Sequence, residues 1–247
     1  MKFFIYNIVL GVLFSLPLLQ AVSTKDSNLG GNIEQEISRE PLFVSLGSSC
    51  KTAHMHRECG IRKAAFPFDW IISFDGEKLI DILEEDFLYF LNPSSLKVSG
   101  QALLNHHYHL EFLNEGDWED ANYDIRSFSE KCQRRINRFR LLANYQGKVF
   151  FVRTAYPYSL TDPHRIWRIK ENIEITYEYA DKLHRALKKC FPELAFELII
   201  VNGYDGSGFL IEKHLSDGVL MVRIDGTIES YKEFYFKLLN GSQELLR

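Results

Sequence analysis

The sequence predicts an α/β fold, a three-layer sandwich of helices around a mostly parallel central sheet. Three short runs are almost entirely apolar, as is typical of strands buried on both faces of a parallel sheet: residues 148–154 (KVFFVRT), 196–203 (FELIIVNG) and 218–224 (GVLMVRI). Amphipathic helical segments alternate with these runs, which favours a layered architecture. A chain of 247 residues with 46% hydrophobic content can bury one continuous core.

The first elements along the chain are predicted to be a strand, two helices and a second strand. Residues 41–47 (PLFVSLG) form a short apolar strand that ends in a glycine turn, and residues 48–60 begin with serine caps and end at a glycine, like a helix. Residues 75–91 predict a second helix with Asp75 as its cap. Residues 106–113 (HHYHLEFL) alternate well enough to predict a strand.

Two long amphipathic helices and a closing helix are predicted in the remaining chain. Residues 123–144 place an apolar stripe on one helical face, and residues 165–190 contain a second helix of this kind. Residues 230–240 close the chain as a helix that ends at Gly241. The inward stripes are Phe128, Cys132, Ile136, Phe139 and Ala143 in the first helix, and Ile175, Tyr179, Leu183, Ala186 and Cys190 in the second.

The amino terminus has the pattern of an export signal. Lys2 precedes a nearly uncharged apolar run, and small residues near Ala21 suit a signal peptidase site. We therefore expect residues 1–22 to be a signal peptide, residues 23–40 a flexible linker and residues 41–247 a single α/β domain. These assignments predict a secreted or periplasmic protein. An uncleaved membrane anchor is the alternative, because the apolar run approaches the roughly 20 residues that span a bilayer.

Charge and spacing argue against several classes of partner. The formal net charge of −4 disfavours nucleic acid, whose phosphates normally need a basic protein face. His107 and His109 supply too few ligands for a zinc site, and the glycines of residues 202–208 lack the helix signal that follows a phosphate-binding loop. We expect no metal and no other cofactor. The expected partner is a substrate of the acyl, peptide or glycan type, with no membrane contact beyond a possible N-terminal anchor.

Cys50 is the candidate nucleophile. It follows the first predicted strand, and in open α/β sheets chemistry collects at the carboxyl ends of the strands. A thiol in the first turn of a helix lies near the positive end of the helix dipole, which stabilises a thiolate. A disulfide to Cys59 within one helix is excluded, because the separation of about 13 Å exceeds the limit of about 7 Å between bridged Cα atoms. Cys132 and Cys190 are interpreted as core residues that could pair only if their helices are neighbours.

A nucleophilic thiol also needs a base and a group that orients the base. His107 and His109 share one face of the predicted strand 106–113, so either could lie beside Cys50 if that strand neighbours the first. Asp69 in the FPFDW segment is a candidate orienting group, and the alternative is that it caps backbone amides inside an aromatic wedge. Further candidates are Asn202 and Asp205 as orienting groups and His164, beside Asp162, as a base.

Four sequence blocks occur in a specific order: FVSLGSSCKTAHMHRECGIRKAAFPFDWI, HHYHLEF, KCQRRINRFRLL and KVFFVRT. From about Phe43 to Arg153 the chain thereby resembles a family of unknown function described as putative papain-like cysteine peptidases. The resemblance implies Cys50 as nucleophile and His109 as its base. It departs at Leu110, because the family tends to have an aspartate after this histidine, so His107 stays open as the base. The description also implies a papain-like α+β fold, with the cysteine helix against an antiparallel barrel.

Two functional hypotheses follow from these observations. In the first, the protein is a cysteine hydrolase in which Cys50 attacks an acyl carbon, a histidine transfers the proton and backbone N–H groups of residues 48–51 stabilise the oxyanion. In the second, a Rossmann-like binding or glycan-modifying protein holds an anion at the same helix N-terminus without covalent chemistry. A third variant is an esterase-like hydrolase that uses Ser48 or Ser49 with Asp162 and His164.

Overall fold

The computed structural model describes seven stretches of the chain. They are residues 40–73, 75–100, 102–112, 125–155, 175–203, 206–215 and 218–241. The expected signal peptide, residues 1–22, and the expected linker up to residue 39 lie outside the described residues. The described stretches all belong to one compact unit that spans residues 37–247.

Nine strands and five α-helices make up these stretches. The strands are β1 (Leu42–Ser45), β2 (Ile72–Ser73), β3 (Leu96–Ser99), β4 (Ala102–Asn105), β5 (Leu110–Phe112), β6 (Val149–Thr154), β7 (Phe196–Gly203), β8 (Phe209–Leu215) and β9 (Val219–Ile224). The helices are α1 (Lys51–Glu58), α2 (Gly76–Glu84), α3 (Ile125–Arg140), α4 (Tyr177–Cys190) and α5 (Ile228–Leu239). None of these helices is long and apolar enough to cross a bilayer.

Five strands form the central sheet, in the order β1-β6-β7-β9-β8. Strands β1, β6, β7 and β9 run parallel, and β8 pairs antiparallel with β9 at one edge. The α/β fold with a mostly parallel sheet is therefore confirmed. The three apolar runs that predicted it are β6, β7 and β9, and their side chains alternate between two separate apolar clusters on opposite faces of the sheet.

Helices cover both faces of the central sheet, as a three-layer sandwich requires. On one face, Met55 of α1 and Phe234 of α5 pack with Phe150 and Val152 of β6. On the other face, α2, α3 and α4 bury their apolar stripes in a larger cluster that includes Phe151. The buried stripe of α3 is the predicted one except for Ala143, which is exposed beyond the end of the helix; the stripe residues are Phe128, Cys132, Ile136 and Phe139.

A second, smaller sheet lies beside the larger cluster, and the sequence did not predict it. It is antiparallel, with the order β2-β5-β4-β3. Its strands are two to four residues long. Alternation over so few residues is too short a pattern to recognise in a sequence.

The predicted strand at residues 106–113 is wrong in its first half. Residues 106–109 form a turn between β4 and β5, and only Leu110–Phe112 is extended. His109 has a left-handed backbone with φ of 53°, which ends any continuous strand. Tyr108 is fully buried within the turn, and the Asn105 side chain accepts a hydrogen bond from its backbone N–H at 2.8 Å. His107 and His109 therefore do not share one strand face.

The predicted helix at residues 75–91 is also shorter than expected. Asp75 caps α2 as predicted, because its Oδ1 accepts hydrogen bonds from the N–H groups of Glu77 and Lys78. The helix ends at Glu84, however, and the chain turns at Asp86 and Phe87, whose φ values of 48° and 63° are left-handed. The turn buries the Phe87 ring among other aromatic side chains, which accounts for an apolar pattern that continues past the helix.

None of the four cysteines forms a disulfide bond. Cys132 is buried in the α3 stripe, as predicted for a core residue. The Cys190 thiol donates a hydrogen bond to the Leu83 carbonyl oxygen at 3.4 Å, and burial raises the pKa of Cys190 to about 11. Burial also raises the pKa of Cys59. Cys50 is partly exposed.

His56 is the buried titratable group of α1. Its Nε2 lies 3.2 Å from the Tyr235 hydroxyl oxygen of α5, and its ring meets the edge of Phe43 with 5.8 Å between centroids. Burial, with a smaller contribution from the charge of Arg62, lowers the pKa of His56 from 6.5 to about 3. The folded protein therefore keeps this imidazole neutral under conditions in which an unfolded chain would protonate it.

We predict that the free energy of unfolding falls as the pH drops from 6.5 toward 3, because the unfolded chain binds a proton that folded His56 does not. Between pH 7.5 and pH 5 this one group should cost about 2 kcal/mol, measurable by urea unfolding. The His56→Gln variant keeps a polar side chain beside Tyr235 but does not titrate. Between pH 7.5 and pH 5 the free energy of unfolding of this variant should fall by about 2 kcal/mol less than that of the parent protein. An equal fall in both proteins contradicts the prediction.

Candidate active site

The loop between β1 and α1 has an unusual backbone. Gly47 and Ser48 are both left-handed, with φ of 76° and 69°. A Cβ atom at Gly47 would lie 3.0 Å from Ser73 Oγ and 3.2 Å from the Phe68 carbonyl oxygen, so only glycine fits there without displacing a neighbour. Ser48 is not glycine, and its conformation persists because the surroundings hold it.

Hydrogen bonds fix Ser48 to both sheets. Its hydroxyl donates to the carbonyl oxygen of Thr154 at the end of β6. Its backbone N–H donates to Ser73 Oγ at 3.2 Å, and its carbonyl oxygen accepts from the Ser73 N–H at 3.0 Å. Ser73 ends β2 in the small sheet. The loop that leads to Cys50 is thus attached to the central sheet on one side and to the small sheet on the other.

Cys50 occupies the position just before the first residue of α1, as the sequence predicts. The N–H of Lys51 donates to Ser49 Oγ at 3.3 Å, and that of Ser48 is taken by Ser73. Within the described part of the chain, the N–H groups of Ser49 and Cys50 donate no hydrogen bond. Both donors adjoin the thiol in the chain and can bind an oxygen atom that approaches it.

His109 is paired with a carboxylate. Its Nδ1 lies 3.1 Å from Asp75 Oδ2. The other carboxylate oxygen, Oδ1, caps α2 through the N–H groups of Glu77 and Lys78. Asp75 therefore uses one oxygen to start a helix and the other to hold the imidazole. This contact orients the ring through Nδ1, so a proton transfer between the imidazole and a thiol would use Nε2.

The pairing of the small sheet brings His109 toward the loop of Cys50. Ser73 pairs in register with Leu110, the residue that follows His109. Ser73 also exchanges two hydrogen bonds with Ser48, which precedes Cys50 by two residues. Neighbouring strands lie about 4.8 Å apart. One short strand, β2, therefore separates the loop of the thiol from the turn of the imidazole.

Arg153 is a buried cation that supports this assembly. It lies in β6, is 3% exposed and donates to the Leu46 carbonyl oxygen at 2.8 Å. It also donates to Ser73 Oγ and to the Ser73 carbonyl oxygen, both at 2.7 Å. One guanidinium thus binds the start of the Cys50 loop and the end of β2. Lysine could not reproduce these contacts, because its ammonium lacks the planar fork of donors.

The buried Arg153 is influenced by the neutral Tyr179 hydroxyl and by the charge of the Asp75 carboxylate. Burial lowers the pKa of Arg153, and the Tyr179 hydroxyl and the Asp75 carboxylate raise it. Tyr179 donates a hydrogen bond to the Gly76 carbonyl oxygen at 3.1 Å, so it also fixes the residue after Asp75. Among the described residues, Arg153 Nε is the buried side-chain polar atom without a hydrogen bond.

Asp69 lies in a different environment from the one expected of an orienting group. Its Oδ2 accepts hydrogen bonds from Arg62 at 2.7 Å and from the Phe66 N–H at 3.1 Å. Arg62 lies over the Trp70 ring, 5.3 Å from its centroid. These contacts match the backbone-capping alternative. The carboxylate that contacts His109 is Asp75, not Asp69, and the sequence indicated Asp75 only as a helix cap.

The other candidates that the structure describes have contacts of their own. His107 stacks on Tyr89 with 4.2 Å between ring centroids and lies 3.5 Å from Glu85. Asn202 donates to and accepts from the backbone of Ile175, so it fixes the entry to α4. His164, Asp162 and Asp205 lie outside the described residues. In the stretches that the structure describes, no three His, Cys, Asp or Glu side chains are grouped to hold a metal ion.

Sequence reasoning missed the roles of Arg153 and Tyr179 as well as that of Asp75. A signal for Arg153 was present, because it is a charged residue in the otherwise apolar strand KVFFVRT. A charge in a strand buried on both faces needs partners, which often belong to a site. Tyr179 carried no such signal, since it falls within an ordinary apolar stripe.

Comparisons with known proteins give one family and one relative. A family model described as a putative papain-like cysteine peptidase matches residues 41–206, more than half of the chain. An uncharacterized protein, R408, of Acanthamoeba polyphaga mimivirus is 25% identical over 144 residues, which are 49% of this chain and 64% of the relative. No solved structure matches the chain. The matched family region includes Cys50, Asp75, His109 and Arg153.

We predict that Asp69 acts on stability rather than on the thiol. Removal of its carboxylate in Asp69→Ala leaves Arg62 and the Phe66 N–H without their partner, so the free energy of unfolding should fall by about 3 kcal/mol. Urea unfolding measures the loss. At a temperature where the variant is folded, the alkylation rate of Cys50 should stay within about twofold of the parent. A larger change in that rate would assign Asp69 to the site.

Proposed function

The chain belongs to the family described as putative papain-like cysteine peptidases, and on that premise we propose a cysteine hydrolase with Cys50 as nucleophile. His109 is its base, and Asp75 orients His109. The Asp75 contact to Nδ1 supports this assignment, because it holds the imidazole as the third member of a catalytic triad does. The carboxylate contact of His107 is longer, since its Nε2 lies 3.5 Å from Glu85.

The proposed reaction has two halves. The Cys50 thiolate attacks the acyl carbon, and the electron pair of the carbonyl double bond moves to oxygen. The N–H groups of Ser49 and Cys50 donate hydrogen bonds to this oxyanion. The bond to the leaving group then breaks, the amine or alcohol takes its proton from the His109 imidazolium, and a thioester remains on Cys50. Water gives a proton to His109, its hydroxide attacks the thioester, and the acid leaves as the thiolate returns.

One observation carries the proposal: the His109–Asp75 pair is separated from the Cys50 loop by the single strand β2. Both connections of that strand are specific, since Ser73 pairs with Leu110 on one side and bonds Ser48 on the other. The nucleophile and the base come from different sheets, so their approach is a property of the tertiary structure. A nucleophile and its base must come within hydrogen-bond reach of each other, and this pairing supports such an approach.

The substrate class is inferred from the chemistry of the thiol, and the location from the N-terminal sequence. An acyl, peptide or glycan-type substrate fits a thiol nucleophile, because each can present an amide or ester carbonyl. We propose export to the cell exterior or periplasm, supported by the sequence pattern of residues 1–22. The alternative binding function without covalent chemistry is supported by the same unpaired N–H groups of Ser49 and Cys50. The two functions differ in the reactivity that they require of the thiol.

We predict that limiting iodoacetamide at neutral pH modifies Cys50 at least about tenfold faster than the other three cysteines. Cys132 is buried, and burial raises the pKa of both Cys59 and Cys190, so their thiolates are scarce. Peptide mass spectrometry over a time course measures the four rates. Cys50→Ala is the control and should remove the fast phase. Equal or slower labelling of Cys50 contradicts the hydrolase and favours the binding function.

We further predict that His109→Gln and Asp75→Asn slow the alkylation of Cys50 at neutral pH. His109→Gln should lower the alkylation rate by about tenfold or more, because no imidazole remains to take the thiol proton. Asp75→Asn should lower the rate by a smaller factor, because the His109 ring loses its orientation. Asparagine can still cap α2 through its side-chain oxygen, so the fold is retained. Rates from the same mass-spectrometric assay test both variants.

His107→Gln is the matched control for this pair of variants. It removes an imidazole from the same turn, two residues away, without touching Asp75. Its rate should equal that of the parent protein. If His107→Gln slows alkylation and His109→Gln does not, the base is His107, and the triad proposed above is wrong.

A further inference from the structure

Lys51 directly follows the proposed nucleophile and extends toward the opposite side of the site from His109. It is the first residue of α1, and its ammonium lies against the turn that joins β9 to α5. A Cβ atom placed on Gly226 of that turn would be 3.1 Å from Lys51 Nζ. The small residue at Gly226 therefore leaves the space that the ammonium occupies. The side chain is half-buried, and burial lowers the pKa of Lys51.

The ammonium of Lys51 has no bonded carboxylate within the described residues. The acid whose charge raises the pKa of Lys51 is Asp225, and the two form no ion pair in the described structure. Each carboxylate oxygen of Asp225 already accepts two hydrogen bonds. One oxygen accepts from the N–H and hydroxyl of Thr227, both at 2.9 Å. The other accepts from the Gly208 N–H at 2.8 Å and the Ser230 hydroxyl at 2.9 Å. Asp225 thus holds Thr227, which caps α5, and Lys51 keeps its own donors available.

The position of Lys51 relative to the thiol follows from the layers of the fold. Helices α1 and α5 pack on one face of the central sheet, and the turn at Gly226 leads into α5. Asp75 begins α2, which packs on the opposite face. Cys50 stands between them at the carboxyl ends of the strands. A substrate carbonyl at the thiol would have His109 on one side and the Lys51 ammonium on the other.

We propose that Lys51 forms a subsite for a negatively charged group of the substrate, which is a carboxylate close to the bond that is cleaved. The inference rests on the proposed role of Cys50 as nucleophile. An extended lysine side chain places its ammonium about 6 Å from its own Cα, and neighbouring Cα atoms are about 3.8 Å apart. The carboxylate is therefore about one residue from the scissile carbonyl. An acidic peptide or an amide of an acidic amino acid has this arrangement.

A pair of alkylating reagents tests the subsite without knowledge of the natural substrate. Iodoacetate and iodoacetamide modify the same thiol by the same displacement of iodide, but only iodoacetate carries a carboxylate. The quantity to measure is the ratio of the two rates at Cys50, by peptide mass spectrometry on the full protein. Any effect of Lys51 on the thiolate itself changes both rates equally and cancels in the ratio.

Lys51→Met should lower the ratio of the iodoacetate to the iodoacetamide rate by about threefold or more, the factor for a unit charge at about 7 Å even in water. Lys51→Arg keeps the charge and should retain most of the ratio. Lys232→Met removes an exposed lysine from α5 and should leave the ratio unchanged. In the parent protein, a rise in salt from 0.05 M to 0.5 M should reduce the ratio, since screening weakens the attraction.

The outcomes separate this inference from the proposed function. If Cys50 reacts fast with iodoacetamide but the ratio is the same in Lys51→Met and in the parent, the subsite is wrong and the hydrolase stands. If Cys50 reacts slowly with both reagents, the assignment of Cys50 as nucleophile is wrong, and so is the subsite that depends on it. If Lys51→Met does not fold, a salt-independent ratio in the parent protein still overturns the subsite.

Discussion

The arrangement of the site depends on the hydrogen bonds of the buried Arg153 guanidinium. From the middle of the molecule it binds the carbonyl oxygen of Leu46 and both the hydroxyl and the carbonyl oxygen of Ser73. These acceptors belong to the start of the Cys50 loop and to the small sheet. A fully buried charge is costly to desolvate, and the cost is offset only when its donors meet acceptors of good geometry. The charge thereby specifies one relative position of the loop and β2.

Around this contact, the same groups serve both stability and chemistry. Asp75 divides its two oxygens between the α2 cap and His109. Tyr179 fixes the neighbouring Gly76 carbonyl and also faces Arg153. The left-handed Ser48 is held by contacts to both sheets, so the strain at the loop is supported by the fold. A preorganised site of this kind needs little rearrangement when a substrate binds.

The sequence predicted the parts of the fold that are long and periodic. Strands β6, β7 and β9 and the stripe of α3 were evident because burial on a regular element repeats over many residues. The small sheet was not predicted, because strands of two to four residues are too short to show a periodic pattern. The sequence of the turn at residues 106–109 also alternates as a strand would. Cys50 and His109 were named from position and resemblance. Asp75 was not named as a partner of His109, because their contact joins residues 34 apart in the chain.

The attachment of the small sheet has a consequence for how the protein loses its activity. His109 precedes β5 of the small sheet, Asp75 starts α2 and Cys50 follows a strand of the central sheet, while β2 is only two residues long. A partial opening that detaches these short strands would carry His109 away from Cys50 and from Asp75, which stays at the start of α2, while the parallel core stays closed. Such openings need less free energy than global unfolding. The reactivity of the Cys50 thiol is thus expected to be lost before the protein unfolds globally, in a partly folded state whose helix content is almost unchanged.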